Sequence, residues 1–126
     1  MKTFLVEDSQ DVCERLCSLM ACIPDVELVA VEDNEDDAVR GIGTLQPDVV
    51  ILDLTLSGGS GLEVLRRIRL QPFFVRVIVF TNNSSPQYRK KCFDLGADYF
   101  LDKTKGISML EELLIRLKSE FENESS

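Results

Sequence analysis

The chain of 126 residues contains no histidine and no tryptophan. Without imidazole it cannot carry a phosphohistidine or use a histidine as general base. Acid–base or phosphoryl chemistry must then fall to carboxylates, hydroxyls, lysine or a metal. Basic charge is scarce as well: 14 Lys and Arg stand against 22 Asp and Glu, a net charge of -8. The one run of three consecutive basic residues is Arg89-Lys90-Lys91. A nucleic-acid binder presents a basic face, so direct DNA or RNA binding by this chain is not expected. No apolar run approaches the roughly 20 residues that span a bilayer. The start, Met1 to Val6, turns acidic at Glu7-Asp8 and shows no signal-peptide pattern. Together these features predict a cytoplasmic protein without membrane insertion. The four cysteines form no C-x-x-C pair. In a reducing compartment they read as free thiols that pack as small apolar side chains.

What is present is a core-forming composition, 44% hydrophobic and 29% charged, in a chain long enough for one domain. The run Val49-Val50-Ile51-Leu52 has three β-branched residues, ends in Asp53 and is followed by Ser57-Gly58-Gly59-Ser60-Gly61. A continuous apolar run closed by turn residues predicts a strand buried on both faces. Further strands are expected at Thr3–Val6, Val26–Val31, Val75–Phe80 and Tyr99–Leu101.

Amphipathic helices alternate with these strands. The first has Val12, Leu16, Leu19 and Ile23 on one face, with Ser9 or Asp8 as cap. The second turns Ala38, Val39, Ile42 and Leu45 inward. The third spans Ser60 to Leu70. The fourth starts at Pro86 and stops at Gly96. The last runs from about Ile107 to Phe121, with Met109, Leu110, Leu113, Leu114 and Leu117 apolar. Residues 1–121 are thus expected to form one domain and 122–126 a frayed tail. The acidic run Glu32 to Asp37 lacks the glycine and distal glutamate of a calcium loop. It reads as a solvated entry to a helix N-terminus, which acids favour.

Five alternating strand–helix units predict an α/β fold: a parallel sheet with helices on both faces and right-handed crossovers. Open sheets of this kind place their chemistry at the carboxyl ends of the strands. Those ends carry Glu7 and Asp8, Asp53, Thr81 and Lys103. If the first and third strands are neighbours, three carboxylates converge. At 4 Å each pair repels by on the order of 4 kcal/mol at an effective dielectric of 20. A magnesium ion resolves that repulsion, and it commonly bridges one or two carboxylates to a phosphate. The set then suits phosphoryl transfer, with Asp53 as oxygen nucleophile and Thr81 and Lys103 as donors to phosphoryl oxygens.

Taken in order, these motifs resemble the receiver domain of bacterial two-component response regulators, nearly end to end. They are Glu7-Asp8 after the first strand, Val-Ile-Leu-Asp53 with Gly61 downstream, Val-Ile-Val-Phe-Thr81, and Gly96-Ala97-Asp98-Tyr99-Phe100-Leu101-Asp102-Lys103. The resemblance implies a flavodoxin-like (βα)5 doubly wound sheet of order 2-1-3-4-5. It implies that Asp53 accepts a phosphoryl group from a histidine kinase or a histidine phosphotransfer protein. It implies that Glu7, Asp8, Asp53 and the backbone carbonyl of Thr55 hold Mg2+. Thr81 and Lys103 would bind the phosphoryl group, and Thr81 with Phe100, an aromatic that turns inward as Thr81 moves, would form the switch.

The sequence departs from the family at three loop positions. Ser57 and Thr104 stand where proline is common, and Asn82 where a small residue is common. The peptide before Thr104 is expected to be trans, because a cis non-proline bond costs about 2.5–4 kcal/mol.

The expectation is a stand-alone receiver whose phosphorylation changes a surface read by a downstream protein. That surface includes Tyr88, Arg89, Lys90, Lys91 and Tyr99, and the kinase would dock near the first helix. Such a chain is a signalling phosphoacceptor that assists its own phosphorylation and dephosphorylation, not an enzyme. One alternative is a binding module on the same scaffold that works without phosphorylation. Another is a phosphatase with an aspartate nucleophile, but the general acid such chemistry wants two positions after Asp53 is Thr55. A flavodoxin-type flavin site conflicts with Glu7-Asp8, where a phosphate loop would stand.

Overall fold

The computed structural model describes residues 1–125. Five strands, β1 (Lys2–Val6), β2 (Glu27–Glu32), β3 (Val49–Leu52), β4 (Arg76–Thr81) and β5 (Tyr99–Asp102), form one parallel sheet of order β2-β1-β3-β4-β5. The helices are α1 (Gln10–Ala21), α2 (Glu35–Leu45), α3 (Gly61–Arg69), α4 (Pro86–Asp94) and α5 (Ser108–Ser125). This is the flavodoxin-like α/β architecture.

The two-residue alternation of the strands divides the core between the faces of the sheet. Phe4, Val6, Val50, Leu52, Val77, Val79 and Phe100 pack under α2, α3 and α4. Leu5, Val49, Ile51, Ile78 and Phe80 pack under α1 and α5, against Leu16, Met20, Leu110 and Leu114. All four residues of β3 are buried, as its unbroken apolar run predicts. Each such aliphatic side chain contributes about 1.5–3 kcal/mol by leaving water.

Four helices begin on polar caps. Ser9, Asn34, Ser60 and Ser85 accept from the backbone N–H of Val12, Asp37, Glu63 and Tyr88, each typically stabilising by about 1 kcal/mol. For α1, the choice between Ser9 and Asp8 goes to Ser9. Leu45, expected to face inward, is 43% exposed, and Met109, one of the apolar residues of the last helix, is 47% exposed. Leu45 ends α2 just before Gln46 turns left-handed at φ 44, and Met109 lies in the first turn of α5. Terminal turns have one flank without a neighbouring helical turn, so helical spacing alone overstates their burial. The last helix continues past Phe121 to Ser125, where an end was expected, and Arg76 donates to Glu124 across its final turns. Ser126 lies outside the described residues. The Lys103–Thr104 peptide is trans, as expected.

The register sets the site. Val6 pairs with Leu52 of β3 and with Glu32 of β2. The next residues, Glu7 and Asp53, therefore leave the sheet side by side. Asp53 N–H donates to Val6 O at 3.0 Å, and Glu7 N–H to Glu32 O at 2.9 Å. On the far side Thr81 pairs with Asp102, which puts Lys103 one residue beyond Thr81. Gly61 opens α3 hard against this edge. A Cβ there would lie 2.1 Å from the Asp53 carbonyl oxygen.

Candidate functional site

The carboxyl edge of β1, β3, β4 and β5 brings Glu7, Asp8, Asp53, Thr81 and Lys103 together. Carboxylate oxygens of Glu7, Asp8 and Asp53 lie within 4.8 Å of one another. Asp8 is exposed, whereas Glu7 and Asp53 are 2% and 6% exposed. Two carboxylates so deep need a counter-charge, and the exit of β5 supplies it. Lys103 Nζ donates to Glu7 Oε1 and, at 2.9 Å, to Asp53 Oδ2. The Asp53 Oδ1 accepts from Thr55 N–H at 3.4 Å.

The two buried acids diverge in acidity. Burial, then the neighbouring Asp53 carboxyl, pushes Glu7 up to about 7 against the pull of Lys103. Burial also opposes ionisation of Asp53. There it is outweighed by Glu7, by the Lys103 ammonium and by the Thr81 hydroxyl, which hold Asp53 below its ordinary value. The environment thus favours the ionised form of Asp53 and the neutral form of its neighbour.

Glu7 Oε2 is buried and, among the described residues, has no hydrogen-bond partner. An orphaned carboxylate oxygen costs about 1–3 kcal/mol or more. A hard divalent cation between Glu7, Asp8 and Asp53 would satisfy it, so the residues present fit a magnesium ion. Thr55 is exposed in the loop directly after Asp53, on the same edge.

Thr81 and Phe100, the residues expected to form a switch, lie on β4 and β5. Thr81 is buried, and its Oγ1 accepts from Asn83 N–H at 3.1 Å. Phe100 is already turned inward, 8% exposed within the α2–α3–α4 layer. The Arg89 guanidinium stands 5.7 Å from its ring centre. Tyr88 is exposed on α4, and Tyr99 is half-buried on the opposite face of β5, with the Arg116 guanidinium 5.7 Å from its ring centre.

Two residues near the site, Asp102 within the last motif and Ser84 after Thr81, had no role in the sequence reading. Asp102 and Ser84 are hydrogen-bonded to each other at 2.8 Å and adjoin Lys103 and Thr81. Asp102 stands two residues before Thr104, the spacing at which an aspartate accepts from the backbone ahead.

Comparison with known proteins matches residues 3–115 to the response regulator receiver domain. The DNA-binding transcriptional activator EvgA of Escherichia coli is 32% identical over 84 residues, covering 67% of this chain and 41% of that protein. The chain spans less than half the length of the curated relatives it matches. Among solved structures, a LuxR-family DNA-binding response regulator from Staphylococcus aureus is 31% identical with a TM-score of 0.85, covering 93% of this chain and 98% of that one. The BeF3-activated N-terminal receiver domain of RstA from Klebsiella pneumoniae is 28% identical with a TM-score of 0.83, covering 94% and 97%. A match over nearly the whole sheet, with an acidic cleft at its carboxyl edge, leaves one conclusion: this chain belongs to the response regulator receiver domain family, the signalling domain of two-component systems.

Proposed function

We propose that Asp53 accepts a phosphoryl group from a phosphohistidine on a histidine kinase or histidine phosphotransfer protein, and that the modified state is read by a downstream protein. The observation that carries this reading is the buried acid pair at the edge of the sheet. Asp53 is held ionised beside a lysine, while Glu7 keeps an oxygen with no hydrogen-bond partner among the described residues. Burying such charges costs more than apolar side chains of similar size would.

Glu7, Asp8 and Asp53, with the Thr55 carbonyl, would hold Mg2+, which when bound neutralises charge on the phosphoryl oxygens and orients them. An Asp53 oxygen attacks phosphorus, the phosphorus–nitrogen bond to the donor imidazole breaks, and the imidazole leaves with that electron pair. Lys103 Nζ, now paired with Asp53, is in place to pair with the incoming phosphoryl oxygen. Thr81 Oγ1 is in place to donate to another. Drawing Thr81 towards the phosphoryl group moves the head of the β4–α4 loop. Phe100 beneath Arg89 is packed where it would respond. The output surface is then α4 and β5, with Tyr88, Arg89, Lys90, Lys91 and Tyr99.

On this reading the chain is a phosphoacceptor that assists its own phosphorylation and dephosphorylation, and no separate substrate is turned over. Its net charge of -8 opposes direct nucleic-acid binding. No described helix is long and apolar enough to cross a membrane, and a cytoplasmic setting suits free thiols.

The test is intact mass after incubation with acetyl phosphate, with and without magnesium. The expected result is one added phosphoryl group that requires magnesium and is absent from Asp53→Ala. A folded wild-type protein that gains no mass under either condition would overturn the proposal.

A further inference from the structure

The turn that carries Lys103 has little of its own to hold it in place. It is a single turn of 3-10 helix, Lys103–Lys105, a geometry with poorer hydrogen bonds than an α-helix. Thr104 and Lys105 are exposed. Gly106 follows in a left-handed conformation at φ 90, with no neighbour close to where its Cβ would be. Yet the ammonium at the head of this turn must reach two buried carboxylates on β1 and β3.

What holds the turn is the side chain of Asp102. Its Oδ1 accepts from Thr104 N–H at 2.8 Å and from Thr104 Oγ1 at 2.7 Å. Its Oδ2 accepts from Ser84 Oγ at 2.8 Å. Ser84 lies in the loop between β4 and α4, one residue after Asn83, whose N–H binds Thr81 Oγ1. Asp102 also faces Thr81 in register across the sheet. One carboxylate therefore joins the two arms of the site. On one side is the turn that aims Lys103; on the other is the loop that follows Thr81. The Thr104 and Ser84 hydrogen bonds hold the Asp102 carboxyl below its ordinary value.

We propose that Asp102 is a positioning residue for phosphoryl transfer, whose carboxylate clamps the Lys103 turn to the β4–α4 loop so that Lys103 and Thr81 reach Asp53 as one unit. The role rests on the reading that Asp53 accepts a phosphoryl group. It also makes a demand that a merely structural contact does not. Lys103 competes with a divalent cation for the oxygens of Glu7 and Asp53, and it must also meet the phosphoryl group. Releasing the clamp frees Lys103 from both duties, so metal binding and phosphoryl transfer should move in opposite directions.

Three measurements on the full chain decide the matter. They are the magnesium dissociation constant by calorimetry, the initial rate of phosphorylation by acetyl phosphate at saturating magnesium, and the reactivity of Lys103 towards an N-hydroxysuccinimide ester read by peptide mass. In Asp102→Ala, magnesium should bind several-fold more tightly and Lys103 should acylate faster. Phosphorylation should slow by on the order of tenfold, within the range a small misplacement of a catalytic group produces. Asp102→Asn keeps an oxygen for Thr104 and should restore most of all three. Thr104→Val, which removes one hydroxyl and spares the carboxylate, should shift each value less and in the same sense, and it serves if Asp102→Ala fails to fold.

The clamp is refuted if Asp102→Ala leaves the three values unchanged, if magnesium affinity and rate fall together, or if Asp102→Asn is as impaired as alanine. Should wild type gain no phosphoryl group, the proposed function fails, and the acylation of Lys103 still decides whether Asp102 holds the turn.

Discussion

Two acidic clusters of this chain sit under opposite rules. Asp33, Glu35, Asp36 and Asp37 stand together in the sequence where α2 begins. Each of them has a partner within reach. Asn34 Nδ2 donates to Asp33 and Asp37 at 2.9 Å each, Arg40 pairs with Asp37, and Arg67 pairs with Glu35 and Asp36. The α2 N-terminus favours all of them through the helix dipole. Glu7, Asp8 and Asp53 come from two strands, two of the three are buried, and the pair shares one lysine. The first cluster is what acids do when stability decides. The second keeps a buried oxygen that has no partner among the described residues, and a bound cation would satisfy it. Density of acid in a sequence is therefore a poor guide to a site; burial without enough partners is the better one.

Glycine substitutions separate the two regions most sharply. Gly61 abuts the Asp53 carbonyl at 2.1 Å and the Leu54 Cα at 2.7 Å, measured from where its Cβ would be, and both are backbone. Gly58 faces the α2 cap at a comfortable 3.5 Å from Asn34 Cβ. Gly61→Ala should cost about 3 kcal/mol or more, since backbone must shift to admit it. Gly58→Ala should cost under about 1 kcal/mol. Urea midpoints of the two variants check this, and equal midpoints would mean that the α3 entry is less tightly packed than its geometry indicates.

Between pH 5 and pH 8 the buried cluster acts on stability through Glu7. In the metal-free fold Glu7 titrates at about 7 instead of 4.5, so the native state holds that proton more tightly than the unfolded chain does. The stability it contributes is complete below 4.5 and is lost as pH rises through about 7. Asp53 acts the other way, but below its ordinary value of 3.8, so it leaves this window untouched. The melting temperature of metal-free protein should therefore fall by several degrees between pH 5 and pH 8. In Glu7→Gln that slope should flatten. In wild type with excess magnesium it should flatten or reverse, because the metal favours the ionised form.

The smallest effect belongs to the solvated cluster. Arg67→Ala removes an exposed ion pair to Asp36 and a half-buried one to Glu35, and pairs near the surface contribute about 0–1 kcal/mol. Its destabilisation should shrink further in salt, and its magnesium affinity should match wild type. A loss of magnesium affinity in Arg67→Ala would mean that the two acidic regions are coupled.

The sheet was legible because Val49–Leu52 and its fellow strands are uninterrupted apolar runs, and few other structures can bury both faces of such a segment. Asp53 was legible as the residue where one such run ends. Its convergence with Glu7 needed strand order, which periodicity does not carry and which the family resemblance provided. Other features turn on contacts between residues far apart in sequence. The inward Phe100, the Glu35 link to Arg67, and Ser84 bound to Asp102 each join different strand–helix units. The exposure of Leu45 and Met109 was hidden for a simpler reason: helical spacing says which side a residue faces and says nothing of where the neighbouring wall ends.

The ion pair between Glu7 and Lys103 joins residues separated by 96 positions. A ribosome that has released β1 through β4 has made every acid of the cleft and nothing to offset them. Only when β5 adds to the sheet edge does the lysine arrive. Contacts of such long range form late and slow the folding of a chain. Assembly of the cleft thus waits on the last strand, and a nascent receiver stopped short of Lys103 would present a surface on which the cleft is not yet assembled.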